Sequence, residues 1–358
     1  MLDLGGRLVL PGLVEAHCHL DKTLFGGPWR PHSAGPAPAD RIADERVRRA
    51  EPGLPDAARV TALLEAMAAT GTTHVRTHTD VYAGAGLTGV EVVRDVAARL
   101  TGRITVEQVA FPAERHPHQP GHGRAAGTGD RPRCARSAAS TRRVWTAIRS
   151  ATSTSCSASP SATACGSTCT CTTPARSACS SWSWSSNGPR AAGLAGRVTV
   201  SHAYALAQAD AATQDRLAAG LAAAGITITT AAIFDFPVPP LKRLRAAGVN
   251  VACGHDDIRD LWSPFGSGDL LERAMHLAYR STFRRDEDIE PALEAVTYGG
   301  ARALGLDGYG LTEGAPADLV VVDAETPAQA VVTRPPRDLV VKAGHVVTRT
   351  AALSPPPR

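Results

Sequence analysis

Apolar and polar positions follow two periods along this chain, one near two residues and one near 3.6, and the two take turns. Residues 8–16 form an apolar run that ends in a polar cluster, Glu15-Ala-His-Cys-His-Leu-Asp-Lys22. Residues 56–69 place Val60, Leu63, Leu64 and Met67 at helical spacing, with Asp56 as N-cap and Gly71 as the stop. Residues 73–81 (THVRTHTDV) predict a strand, 90–100 a helix and 104–111 another strand. Further on, strands are predicted at 197–203 (RVTVSHA), 226–232 and 249–256 (VNVACGHD), and helices at 209–224 and 241–247. Strands that alternate with helices imply βα units around a parallel sheet. Residues 314–322 and 338–347 predict strands of a small β module.

Polar side chains recur where the predicted strands end: His17 and His19, His78 and Asp80, His202, then His255 and Asp256. Functional residues at the C-terminal ends of many strands are the habit of an α/β fold of the (β/α)8 TIM-like barrel type. The expected organisation is a remnant of an N-terminal β module (1–10), a first barrel part (11–113), an aberrant segment (114–189), a second barrel part (190–310), C-terminal β strands (311–350) and a disordered tail (351–358). Residues 1–7 read as the end of a longer β segment, so the start is expected to be truncated or called too late.

Composition adds one sharp feature. Hydrophobic content of 43% and charge of 20% over 358 residues are ordinary for a soluble protein with ample core. No apolar run reaches a membrane span and no signal-peptide pattern opens the chain, so the expectation is a cytoplasmic protein without a membrane partner. The formal charge of +4 is spread without a basic stripe, which argues against a nucleic-acid partner. Residues 116–189 stand apart, because six of the eight cysteines and three of the five tryptophans fall there amid Ser, Thr and Arg.

His17-Cys18-His19 at a strand end is the strongest chemical signal. Alternate strand residues face the same way, so both imidazoles can reach one ion, while Cys18 packs on the other face. Taken alone, the pair is equally consistent with two polar residues in a loop. Asp256, within Gly254-His-Asp-Asp257, offers an oxygen ligand and a base for an attacking water, or else caps a following helix. His202 is either a ligand, a donor to developing charge, or structural.

The run Leu8-Val-Leu-Pro-Gly-Leu-Val-Glu-Ala-His-Cys-His-Leu-Asp-Lys22 resembles the entry motif of the amidohydrolase superfamily. In order, THVRTHTDV, VAFPAE, RVTVSHA, GHDDIRDLWSPFGSGDLL and EGAPADLVVVDA are similar to the cytosine deaminase and N-isopropylammelide isopropylaminohydrolase group, over most of residues 1–113 and 190–350. The resemblance implies a barrel carrying one divalent metal ion, zinc or iron, and hydrolysis of a C–N bond in a small heterocyclic substrate. It implies His17, His19 and Asp256 as metal ligands, Asp256 and His202 as catalytic residues, and Lys22, Asp257 and Trp262 facing the substrate. A homo-oligomer is also what it implies. Ala113 stands where the cytosine enzymes carry glutamine, which counts against cytosine itself.

The group also carries a fifth-strand motif, His-x-His-Asp or His-x-x-Glu, and residues 123–201 contain no histidine. If each true codon is the last base of one residue's codon plus the first two bases of the next, residues 168–186 can be reread as DLHLHDPGEVGLFELELEL. The same shift converts residues 134–155 to LRAVGGLDPAGLDGDPVRHLDV. Thr170 then stands at the place of a metal histidine and Thr173 at that of the acid. The expectation is a pair of compensating frame errors, one between Ala113 and Cys134 and one near Gly188, with strands 4 and 5 lost and metal binding and hydrolysis weak. The alternatives are a genuine disordered Ser/Thr-rich insertion and a zinc knuckle of Cys165, Cys169, Cys171 and Cys179, which lacks paired CxxC spacing. A catalytically inactive product of a frame-shifted gene, or a binding protein on a damaged barrel, are the competing function classes.

Overall fold

The computed structural model describes residues 3–51, 53–82, 84–111, 167–170, 196–234 and 236–350. Strands β2 (Leu13–Cys18), β3 (Thr72–Asp80) and β4 (Thr105–Phe111) form one parallel sheet in chain order. Strands β5 (Ser167–Thr170), β6 (Val198–Ser201), β7 (Ile226–Thr230) and β8 (Val251–Cys253) form a second. The two sheets meet where β8 returns to β2: Asp256 N–H donates to His17 O (2.8 Å) and His19 N–H to Asp256 O (3.1 Å), with a parallel bridge between Cys18 and Asp256. Parallel strands in sequential order, joined by helices and brought round to the first strand, make a barrel-type fold. A separate antiparallel sheet pairs β1 (Leu8–Pro11) with β9 (Leu319–Val322), then β10 (Arg337–Lys342) and β11 (His345–Arg349).

The elements form where the pattern predicts. Helix α2 (Ala57–Ala69) opens on Asp56, whose carboxylate accepts from the Ala58 and Arg59 amides. Its Val60, Leu63, Leu64 and Met67 are fully buried against Val75 of β3 and Val93 and Val96 of the Thr88–Arg99 helix. Each such side chain stabilises the layer by about 1.5–3 kcal/mol. Gly71 follows with φ +100°, and a Cβ there would press into Val320 of β9. Cys18 is buried in that same apolar layer, on the face away from the histidines.

Two expectations need correction. Among the described residues, Ser167–Thr170 does form a strand, β5, paired parallel with β6 so that Thr170 lies in register with Ser201. Ladder pairing uses main-chain groups, so a short Ser/Thr/Cys run joins a sheet despite carrying no apolar alternation. The rest of the aberrant segment, Ala113 and the tail after residue 350 lie outside the described residues. Second, β6, β7 and β8 stop two or three residues before the predicted ends. His202, Ala203, Ala232 and Asp256 take positive φ (70°, 50°, 50° and 65°), which turns the chain out of the sheet. Among the described residues, no helix is long and apolar enough to cross a membrane.

Candidate metal centre

The C-terminal strand ends deliver the histidines and the aspartate to one point. β2 places His17 on its inner face and His19 two residues on, and both are buried. His202 follows β6 and Asp256 follows β8. His17 Nε2 lies 3.2 Å and His19 Nε2 3.4 Å from Asp256 Oδ1, and His202 Nε2 lies 3.7 Å from Asp256 Oδ2. Donor atoms of His17, His202 and Asp256 fall within 4.8 Å of one another, as do those of His19, Asp256 and Asp257. Asp256 does not cap a helix. Its left-handed backbone turns the carboxylate toward the imidazoles, and such strain gathers at functional sites.

Burial opposes ionisation of Asp256, but His202, His17 and His19 outweigh it and hold the carboxyl well below its usual range. Burial likewise disfavours a charged His19 and Lys22 adds to that, yet the Asp256 bond pushes its pKa up. Burial lowers His202 to about 4. His17 Nδ1 shares a 2.9 Å hydrogen bond with Ser201 Oγ, which leaves Nε2 aimed at Asp256. The buried Nδ1 atoms of His19 and His202 have no hydrogen-bond partner among the described residues.

Three buried imidazoles around one ionised carboxylate is a donor set that suits a divalent cation such as zinc, and it is an expensive cluster to bury without one. The residues present therefore fit the metal that the sequence implied. His202 joins the cluster beside His17, a closer association than its strand-end position alone predicted.

The residues expected to face a substrate sit on the same side. Lys22 Nζ is 3.7 Å from Asp80 Oδ1 and 5.9 Å from the centroid of the Trp262 ring. The Trp262 indole N–H donates to Glu45 Oε2 (2.8 Å), from helix α1 (Pro38–Arg48). Asp257 is buried, and burial together with Asp260 and Asp256 raises its pKa well above the usual carboxylate range. A small pocket opens among Asp21, Lys22, Glu45, Arg49, Asp80 and Tyr82. Sequence reasoning missed Glu45, Arg49 and Ser201. Helix α1 has no apolar stripe to betray it, whereas Ser201 immediately precedes the singled-out His202 within RVTVSHA.

Comparison with known proteins agrees with this geometry. Residues 184–348 match the amidohydrolase family. The structure of N-isopropylammelide isopropylaminohydrolase from Burkholderia multivorans is 37% identical, with 96% of this chain and 87% of that one covered at a TM-score of 0.81. N-isopropylammelide isopropyl amidohydrolase of Pseudomonas sp. (strain ADP) is 34% identical over 158 residues, a match that spans 44% of this chain and 39% of that protein. The 5-methylcytosine deaminase of Klebsiella pneumoniae, 23% identical with 98% and 89% covered and a TM-score of 0.71, shares the fold. The chain belongs to the amidohydrolase family, and its fold is TIM-barrel-like. It is a hydrolase of C–N bonds by that membership.

Proposed function

We infer that this chain descends from a cytosine-deaminase-group hydrolase that cleaves a C–N bond on an aminated nitrogen heterocycle or related cyclic amide, and that it keeps His17, His19 and Asp256 of that enzyme's metal site. The observation that carries this reading is the convergence of His17, His19 and His202 on Asp256 at three buried strand ends. His17, His19 and Asp256 would hold one divalent ion, zinc or iron, which would supply a water of lowered pKa. The Asp256 carboxylate accepts the water proton as oxygen adds to the ring carbon. The C–N bond then breaks and the proton passes to the departing amine. His202 sits where it can steady charge on the reacting carbon's substituents. Lys22, Asp257 and Trp262 face the substrate ring and orient it. A cytoplasmic setting suits a heterocyclic small-molecule substrate.

The sequence break across residues 114–189 supports a second reading of the literal chain. In it, the frame of this segment is displaced and hydrolysis is slight, because residues 170–173 carry Thr-Cys-Thr-Thr in place of His-Leu-His-Asp. One experiment separates the cases. Chain of verified mass, and a second chain carrying the reread strings at 134–155 and 168–186, are assayed for amine release from a panel of amino- and alkylamino-substituted pyrimidines and triazines. Turnover by the reread chain with little by the literal one is expected. Robust turnover by the literal chain refutes the impairment, and none by either refutes the hydrolase assignment.

A further inference from the structure

Glu15 lies two residues before His17, is fully buried, and does not line the pocket around Lys22. Its carboxylate accepts three hydrogen bonds. Oε1 takes the main-chain N–H of His17 (3.0 Å) and of His255 (3.0 Å), and Oε2 takes the His255 ring at Nδ1 (2.5 Å). These donors belong to different sheets, because His17 is on β2 and His255 follows β8. The main-chain link across that seam is confined to the turn around Cys18 and Asp256. Glu15 therefore stitches the seam one layer below the metal centre, and both strand ends that it ties carry ligands.

Gly254 completes the arrangement. A Cβ there would collide with Glu15 Oε1 and come within 2.6 Å of the His17 main chain. Only a glycine lets β8 approach closely enough for the carboxylate to reach both strands. A buried carboxylate satisfied by three donors is rigid, since each of its bonds is worth more in a water-free site than at the surface.

We propose that Glu15 is a positioning residue that fixes the separation of His17 and His19 from Asp256 and so sets the geometry of the metal site. This rests on the metal-centre reading above. Groups that orient metal ligands from behind typically change affinity by about 10–100-fold when removed.

The test uses the full chain stripped of metal and titrated with cobalt(II), read as affinity and as the visible absorption band of the bound ion. Glu15→Ala is expected to weaken cobalt binding about 10–100-fold and to change the band. Glu15→Gln keeps an oxygen acceptor for the two main-chain donors, so it should fall between Glu15→Ala and the native chain. It also decides the matter if Glu15→Ala does not fold. Asp318→Asn, a buried carboxylate change in the small β sheet, should lower the melting temperature and leave affinity and band alone. Native affinity and band in both Glu15 variants overturn the proposal, as does an equal loss in Asp318→Asn, which would mark a merely structural effect. A native chain that takes up no cobalt removes the metal centre itself, and the positioning role with it.

Discussion

The small β sheet is fastened to the barrel by a buried charge cluster, and its pH response can be worked out. Asp318 accepts from Lys342 Nζ (2.8 Å) and the Ala343 amide (2.6 Å), while Lys342 Nζ also reaches His74 Nε2 on β3 (3.1 Å). Lysine can only donate, so His74 Nε2 is the acceptor and the ring is neutral, with Nδ1–H turned toward Thr73 Oγ1 (3.1 Å). Burial, and then the Lys342 charge, lower the His74 pKa to about 4, against a smaller opposing pull from Asp318. A histidine depressed from 6.5 to about 4 binds its proton more readily in the unfolded chain. Its contribution is therefore fully present above pH 6.5 and is lost as pH falls toward 4. The shift corresponds to about 3 kcal/mol across that window. Other buried histidines titrate too, so the quantity to measure is the difference between the native chain and His74→Gln. Glutamine can still accept from Lys342 through its amide oxygen but does not titrate. Thermal or urea unfolding from pH 4 to pH 7 should show the native chain losing about 3 kcal/mol more than His74→Gln as pH falls. Parallel pH profiles for the two proteins would refute the neutral, lysine-bonded histidine.

Ser201→Ala removes the hydrogen bond behind His17 and should weaken metal binding roughly tenfold, measured by competition with a chromophoric chelator. Trp262→Phe deprives Glu45 of its indole donor. In the turnover-competent reread chain it should raise KM roughly tenfold with kcat little changed, as expected for a charge-assisted bond that positions the pocket wall. Resequencing the DNA for residues 113–190 should show HLHD in the adjacent frame, flanked by single-base gains or losses. Uninterrupted DNA in the present frame, with no such motif in the adjacent one, would make the Ser/Thr/Cys segment genuine.

Much of the site was legible because a strand has period two. His17 and His19 had to share a face, and Cys18 had to take the other. The strand–helix alternation likewise put His202 and Asp256 at the same end of the sheet. What the pattern hid is long-range. Glu15 was visible as a letter, but its partner His255 is 240 residues away, and no local period reports such a contact. Helix α1 escaped notice because it turns Arg41 and Glu45 inward, where apolar side chains are the usual signal. The strand ends were drawn too long because His202 and Asp256 leave the sheet through positive φ, a conformation that residue type alone disfavours.

The claim on which the rest depends is that His17, His19 and Asp256 together bind one divalent ion. Calorimetric titration of the metal-stripped chain with zinc, beside Asp256→Asn and His17→Asn, tests it directly. The account expects a single saturable site in the native chain that both substitutions abolish. Absence of a saturable site, or unchanged binding in the two variants, would contradict it.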